Sequence, residues 1–229
     1  CFQHILEEYK SGREHYCLII LNNDLTTGIP DVLQQSAVPI YPSALAGWHS
    51  RLKSHHFSHT DDLMKEFCEF VDFDPWLLTC LHSKADSINI NEAADRSRLA
   101  DMASDMLKAI QLKYKEHGIK EKPYLVLKSD SGTYGMGVLA IEDAVDIHNL
   151  NNRNRNKLNK GKSSQLISRF LIQEGVPTIY SVDNKVSEIV FYQIENHQIG
   201  GFYRSHSGKS QRDNLNAAGM EFHKICPHE

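Results

Sequence analysis

The segment Ser129-Asp-Ser-Gly-Thr-Tyr-Gly-Met-Gly137 constrains this chain more than any other stretch. It lies between two apolar runs of strand length, Pro123–Lys128 and Val138–Ile141. Three glycines in six residues permit positive φ angles and a close approach of backbone to ligand. A P-loop would carry its lysine after the glycines and open a helix. Here Lys128 precedes them and a strand follows. That order predicts a hairpin lid whose backbone N–H groups close over phosphates, with the Lys128 ammonium held beneath. From these residues alone, a plain Gly-rich turn is the alternative.

Upstream of this hairpin the chain reads as mixed α/β. Phe2–Tyr9 has a helical rhythm, and Tyr16-Cys-Leu-Ile-Ile-Leu21 is an unbroken apolar run, expected as a strand buried on both faces. Pro30, Pro39 and Pro42 break the next stretch into loop with short pieces. A helix is expected from the acidic turn at Asp61-Asp62 to Phe73, with Leu63, Phe67, Phe70 and Val71 at helical spacing and the acidic stretch Asp61 to Asp74 as a solvated face. A second helix runs from Ala93 to Tyr114, carries Leu99, Met102, Met106, Leu107, Ile110 and Leu112, and is closed by Gly118. Downstream the sequence turns β-rich. Strands are expected at Gln165–Gln173, Glu188–Ile194 and Ile199–Arg204, the last two joined by a turn at Glu195-Asn-His-Gln198. The unit boundary is set near Gly118.

Composition removes several function classes. Hydrophobic residues make up 41% and charged residues 24%, as in ordinary globular proteins, and the net charge is −4. The longest apolar run is far too short to cross a bilayer. Five scattered cysteines without a CxxC pair read as free thiols of a reducing compartment. His148–Phe170 holds six Lys or Arg and no acidic residue, but asparagines and serines separate them rather than aromatics. A solvated helix and loop is therefore expected, not a nucleic-acid surface. Two histidine groups, His49/His55/His56/His59 and His223/Cys226/His228, lack the paired spacing of structural zinc. His49, Arg51 and Lys53 suit a carboxylate or other anion better.

Further stretches carry weaker signals. An apolar strand breaks at Gln173-Glu-Gly-Val176, which could offer backbone groups to a purine and a carboxylate to ribose, or be a simple turn. Arg204 could neutralise a phosphoryl group. Asn214 and Asn216 are hard oxygen donors suited to Mg²⁺, although Asn is equally at home in turns.

In combination these motifs resemble an ATP-grasp ligase. The loop after Lys128, the Gln173–Val176 break, Gly200-Gly-Phe-Tyr-Arg204 and Asn214-Leu-Asn-Ala-Ala-Gly219 are similar to the bacterial glutamate–cysteine ligase family built on that fold. Supporting stretches are Leu21-Asn-Asn-Asp-Leu25, Gly47-Trp-His-Ser-Arg-Leu-Lys53, His56-Phe57 and Asp74-Pro-Trp76. The sequence departs from the family at Tyr180, where an acidic residue is usual, at Ser187-Glu-Ile189 for Ala-Glu-Pro, and at Ser129 for Ala. The chain reads as a fragment of a longer protein.

The resemblance implies an α/β (α+β) fold, with a mixed α/β substrate-side region over 1–117 and an ATP-grasp nucleotide-binding region over 118–229. It implies an ATP-dependent enzyme that joins the γ-carboxylate of glutamate to cysteine through an acylphosphate, the first step of glutathione biosynthesis. ATP and Mg²⁺ are the implied cofactors. Lys128 and Arg204 would be catalytic. Lys128, Ser131, Gly132, Thr133, Tyr134, Gly135, Met136, Gly137, Gln173, Glu174 and Val176 would bind ATP. Asn23, Asp24, His49, Arg51 and Lys53 would bind substrate, and Asn214 and Asn216 the metal. The expected partners are small molecules (glutamate, cysteine and ATP), with no nucleic acid and no membrane, in the cytoplasm, and a homo-oligomer is left open. Two other readings stay open: a ligase of another acid and amine, and a catalytically silent nucleotide-binding module.

Overall fold

The computed structural model describes residues 4, 7–9, 11–12, 15–131, 137–159 and 167–225. Gly132–Met136 of the Gly-rich loop, and most of the helix expected at Phe2–Tyr9, lie outside them. The elements are β1 (Ile19–Ile20), α1 (Asp31–Gln34), β2 (Ile40–Tyr41), α2 (Lys53–Val71), β3 (His82–Ala85), α3 (Ala93–Glu116), β4 (Leu125–Ser129), β5 (Val138–Ile141), α4 (Val145–His148), α5 (Asn152–Asn159), β6 (Phe170–Glu174), β7 (Ser181–Val182), β8 (Lys185–Ile194), β9 (His197–His206) and β10 (Glu221–Lys224). This is an α+β protein. One antiparallel sheet has the order β3-β6-β4-β5, a second has β10-β9-β8-β7, and β1 and β2 form a short parallel pair. The edge strand β3 precedes Gly118, so the pairing of the first sheet runs across that position.

Side-chain period decides what each face of the first sheet does. On one face, Leu125 and Leu127 of β4 meet Phe170 and Ile172 of β6, and α3 covers them with Leu99, Ala103, Met106 and Ile110. Ile88, Ile90, Ile141, Ile147 and Leu158 complete this core. The expected apolar stripe of α3 is its packed face, except that Leu112 is exposed. Gly118, at φ +68°, ends the helix in a conformation that a β-carbon disfavours. Ser129 lies on the core face of β4, and its buried Oγ has no hydrogen-bond partner among the described residues. Alanine there would leave no orphaned hydroxyl.

The opposite face carries Val126 and Lys128 of β4 beside Leu171 and Gln173 of β6. Helix α2 reaches this face through Phe57, whose ring lies 5.2 Å from that of His82 on β3. The helix starts eight residues before the expected acidic turn, so Asp61 is an interior residue whose carboxylate lies 3.5 Å from His82. Its sheet-side positions are Ser54, Phe57, Asp61 and Cys68, which share one helical face although two are polar. Leu63, Phe67, Phe70 and Val71, which recur at helical spacing, are exposed; Phe70 is 89% accessible. The apolar stripe was legible, but it is not the stripe that packs.

The run Tyr16–Leu21 also departs from expectation. Only Ile19 and Ile20 form a strand, paired to Ile40 and Tyr41 alone, and Ile20 is 77% exposed. In the second sheet the expected strands are longer by two or three residues at their outer ends, and a two-residue turn with Glu195 at φ +51° joins them. The Tyr192, Phe202 and Phe222 rings follow one another across β8, β9 and β10 at 5.9 and 5.1 Å.

Candidate functional site

The N-terminus of α2 meets the end of β4. Leu52, at the N-cap, has no side-chain cap. Asp130, far away in sequence, supplies the missing acceptors: its carbonyl takes the Lys53 N–H at 2.9 Å and its Oδ1 takes the Ser54 N–H at 2.7 Å. Its Oδ2 accepts from Ser54 Oγ at 2.7 Å. Lys53 Nζ donates to the carbonyls of Ser129 at 2.8 Å and Ser131 at 2.9 Å. Five hydrogen bonds thus tie residues 53–54 to residues 129–131.

This junction gathers cations. Burial, with Lys128 and Arg51 nearby, lowers the Lys53 pKa to about 8, against the pull of Asp130. Lys128 is also lowered, first by burial and then by Arg51, while Cys80 and Asp130 oppose the shift. The Lys128 ammonium donates to Gln173 Oε1 and lies 5.1 Å from the centre of the Phe57 ring. Gln173 Nε2 in turn donates to Cys80 Sγ at 3.2 Å. Arg51 stacks over Trp48 at 4.4 Å. Sequence reasoning placed Lys128 with ATP and Arg51 and Lys53 with a carboxylate; in the fold they are one group. Three clustered cations in a half-dry setting are suited to a ligand with several negative charges.

Asn23, Asp24 and His49 sit in a second group. Asn23 Oδ1 accepts from Leu25 N–H at 2.8 Å and Asp24 Oδ1 from Thr26 N–H at 3.3 Å. The Trp48 N–H donates to the Asp24 carbonyl and His49 Nδ1–H to that of Leu25, which stitches this loop to the one leading into Arg51.

Other expected site residues lie apart from the cation group. Glu174 points to the α3 side, opposite to Gln173, and is 3% exposed. Its Oε2 accepts from Trp76 Nε1–H and the Leu81 N–H, both at 3.0 Å, and burial raises its pKa. Glu174→Ala would orphan two half-buried donors, at roughly 1–3 kcal/mol. Thermal melts should show a midpoint lower by about 5 °C, with altered Trp76 fluorescence; Glu174→Gln, which keeps an acceptor, should lose much less. Val176 is exposed. Gly137, at φ +67°, lies where a β-carbon would come within 3.3 Å of the Lys157 carbonyl on α5.

Arg204 belongs to the second sheet, where its Nε donates to Glu188 Oε1 at 2.6 Å across the β8–β9 pair. Asn214 and Asn216 lie on the loop between β9 and β10. Asn214 Oδ1 accepts the Asn216 N–H at 3.0 Å, and buried Leu215 anchors the turn between them. Neutral amide oxygens on an anchored turn fit Mg²⁺, a hard ion that keeps waters and shares phosphate oxygens. The same loop reaches the first sheet through Arg212, which pairs with Glu142 at 3.0 Å and stacks over Tyr124 at 4.9 Å.

Sequence reasoning quoted Phe57 in a supporting stretch but missed Ser54, Asp130 and Cys80 as neighbours of the site. Asp130 alone left a signal, as an acidic residue in a loop otherwise read for its glycines and hydroxyls.

The fold is α+β, and its three clustered cations are suited to a multiply charged anion. Residues 7–229 match the glutamate-cysteine ligase (GshA) family model, and the chain belongs to that family. It is also similar to the crystal structure of a Methylobacillus flagellatus KT protein whose assignment as a gamma-glutamylcysteine synthetase is itself provisional. Identity is 35% and the TM-score 0.83, over 93% of this chain and 51% of the other, so the chain spans about half the length of that protein. No curated protein sequence matches the chain. No described helix is long and apolar enough to cross a membrane.

Proposed function

We propose that this chain carries the ATP-side chemistry of an ATP-dependent glutamate–cysteine ligase, on an ATP-grasp arrangement of its two antiparallel sheets. The observation that carries the reading is the convergence of Arg51, Lys53 and Lys128 at the junction of α2 and β4. Family membership supports the substrates.

A carboxylate at neutral pH does not acylate an amine. In the proposed reaction a carboxylate oxygen of glutamate attacks the γ-phosphorus of ATP, the bond to the β-phosphate oxygen breaks, and ADP leaves. The cysteine nitrogen then attacks the acyl carbon, phosphate departs with the C–O electron pair, and the amine loses a proton. Both steps concentrate negative charge between donor and acceptor. Catalysis is mostly positioning and charge neutralisation. Lys128 would face the phosphates, Arg51 and Lys53 the carboxylate side, and the Gln173–Val176 segment the nucleoside. Arg204 would add charge from the second sheet. Mg²⁺, held by Asn214 and Asn216 together with phosphate oxygens, would neutralise phosphate charge when bound. Such a reaction of small soluble metabolites suits the cytoplasm.

The testing experiment is Mg²⁺-dependent ADP release with glutamate alone and then with cysteine. Strong stimulation by the pair, with a dipeptide of the expected mass, supports the reading. Stimulation by another acid and amine changes the substrates, and ATP binding without stimulation by any pair overturns ligation in favour of a silent nucleotide module.

The Lys53 pKa gives the reading a pH signature. Lys53 loses its proton as pH rises through about 8, so the cation group is fully charged below that value and weaker above it. The kcat/KM should therefore fall on the alkaline side with a midpoint near 8. Lys53→Arg, whose charge persists, should move that limb upward by at least one pH unit. A limb that stays in place would remove Lys53 from this role.

A further inference from the structure

We infer that Asp130 is the positioning residue of the cation group: it clasps Ser54, fixes Lys53 on the first turn of α2, and supplies the counter-charge that keeps Lys53 and Lys128 side by side. The inference deepens the proposed function and rests on that reading only for its catalytic consequence.

Asp130 is 1% exposed and every polar group it owns is engaged. Its N–H donates to the Arg169 carbonyl at 3.0 Å, its carbonyl accepts from Lys53, and its two carboxylate oxygens accept from Ser54, itself 6% exposed. So buried a group is out of reach of substrate, and it acts through its neighbours. The carboxylate faces the positive end of a 19-residue helix that has no cap of its own, where negative charge is favourable. It also opposes the mutual repulsion of the lysines, raising both against burial. Besides burial, Lys128, Arg51 and Asp130 act on Lys53, and Cys80, Arg51 and Asp130 act on Lys128.

Asp130→Asn is the discriminating variant. An amide can still accept the Ser54 N–H through Oδ1 and donate to Ser54 Oγ, so the clasp keeps its shape and loses its charge. Lysine amines reductively methylated with ¹³C-formaldehyde report their own titrations by NMR, with Lys53→Arg and Lys128→Arg identifying the two signals. In Asp130→Asn the proton affinity of Lys53 is expected to fall about tenfold, that of Lys128 to move the same way, and the alkaline limb of kcat/KM to shift down in step. Unchanged lysine midpoints with only a lower melting temperature would make Asp130 a structural cap and overturn the proposal. Shifted midpoints in a protein without ligase activity would support the clasp and refute the functional reading instead. Amide exchange of the unmodified protein needs no variant: Lys53 and Ser54 should be protected as interior helix amides are. Exchange at the rate of an open helix terminus would overturn the clasp.

Discussion

Lys128→Ala is expected to lower turnover by about a thousandfold while the KM for glutamate changes by less than about threefold. The ammonium leaves the plane of the first sheet on the face away from the core, and Gln173 and the Phe57 ring hold it there. Its desolvation costs free energy that the fold would avoid by any uncharged residue. A ligand that brings phosphate charge to this position repays that cost, and most strongly when charge is passing between phosphate and carboxylate. The ground-state carboxylate has other cations, Arg51 and Lys53, so its binding should survive. Lys128→Met, which keeps the packing against Phe57, should be equally impaired in turnover and melt closer to the native protein. Loss of glutamate affinity with turnover intact would assign Lys128 to the acid and not to the phosphates.

Several elements were readable because their signals are local. Helix α3 has a clean apolar period and a glycine stop, β5 is bounded as expected, and the β8–β9 turn lies where two alternating runs meet. What failed was long-range. The start of α2 was misread because its N-terminal acceptors belong to Asp130, outside any local window, while Asp61-Asp62 imitates a helix beginning. Its buried face was not legible, because polar Ser54 and Asp61 lie on the sheet side and Phe70 is exposed. The site residues were named more easily than they were grouped. Lys128 and Gln173 are neighbours only through the β4–β6 register, and period two sends Glu174, next in sequence to Gln173, to the opposite face.

Gly175→Ala is expected to lower the melting temperature by roughly 5–10 °C, the equivalent of about 2–3 kcal/mol of overpacking. The Gly175 N–H donates to the Tyr124 carbonyl at 2.8 Å, extending the β4–β6 pairing by one step, and the Tyr124 ring crosses directly over the glycine. A β-carbon there would lie 2.2 Å from ring atom Cε2, so the ring must move. It has little room: Tyr124 is 3% exposed, and the Arg212 guanidinium caps it on the loop that carries Asn214 and Asn216. Steric conflict at the Gln173–Val176 break should therefore reach the proposed metal-side loop, and the KM for Mg-ATP should rise along with the loss of stability. Tyr124→Ala separates the two causes. In the double variant the new methyl occupies space that the ring has left, so Gly175→Ala should add almost nothing to the cost of Tyr124→Ala. Additive losses in that cycle would mean that the glycine is needed for its backbone and not for the ring that crosses it.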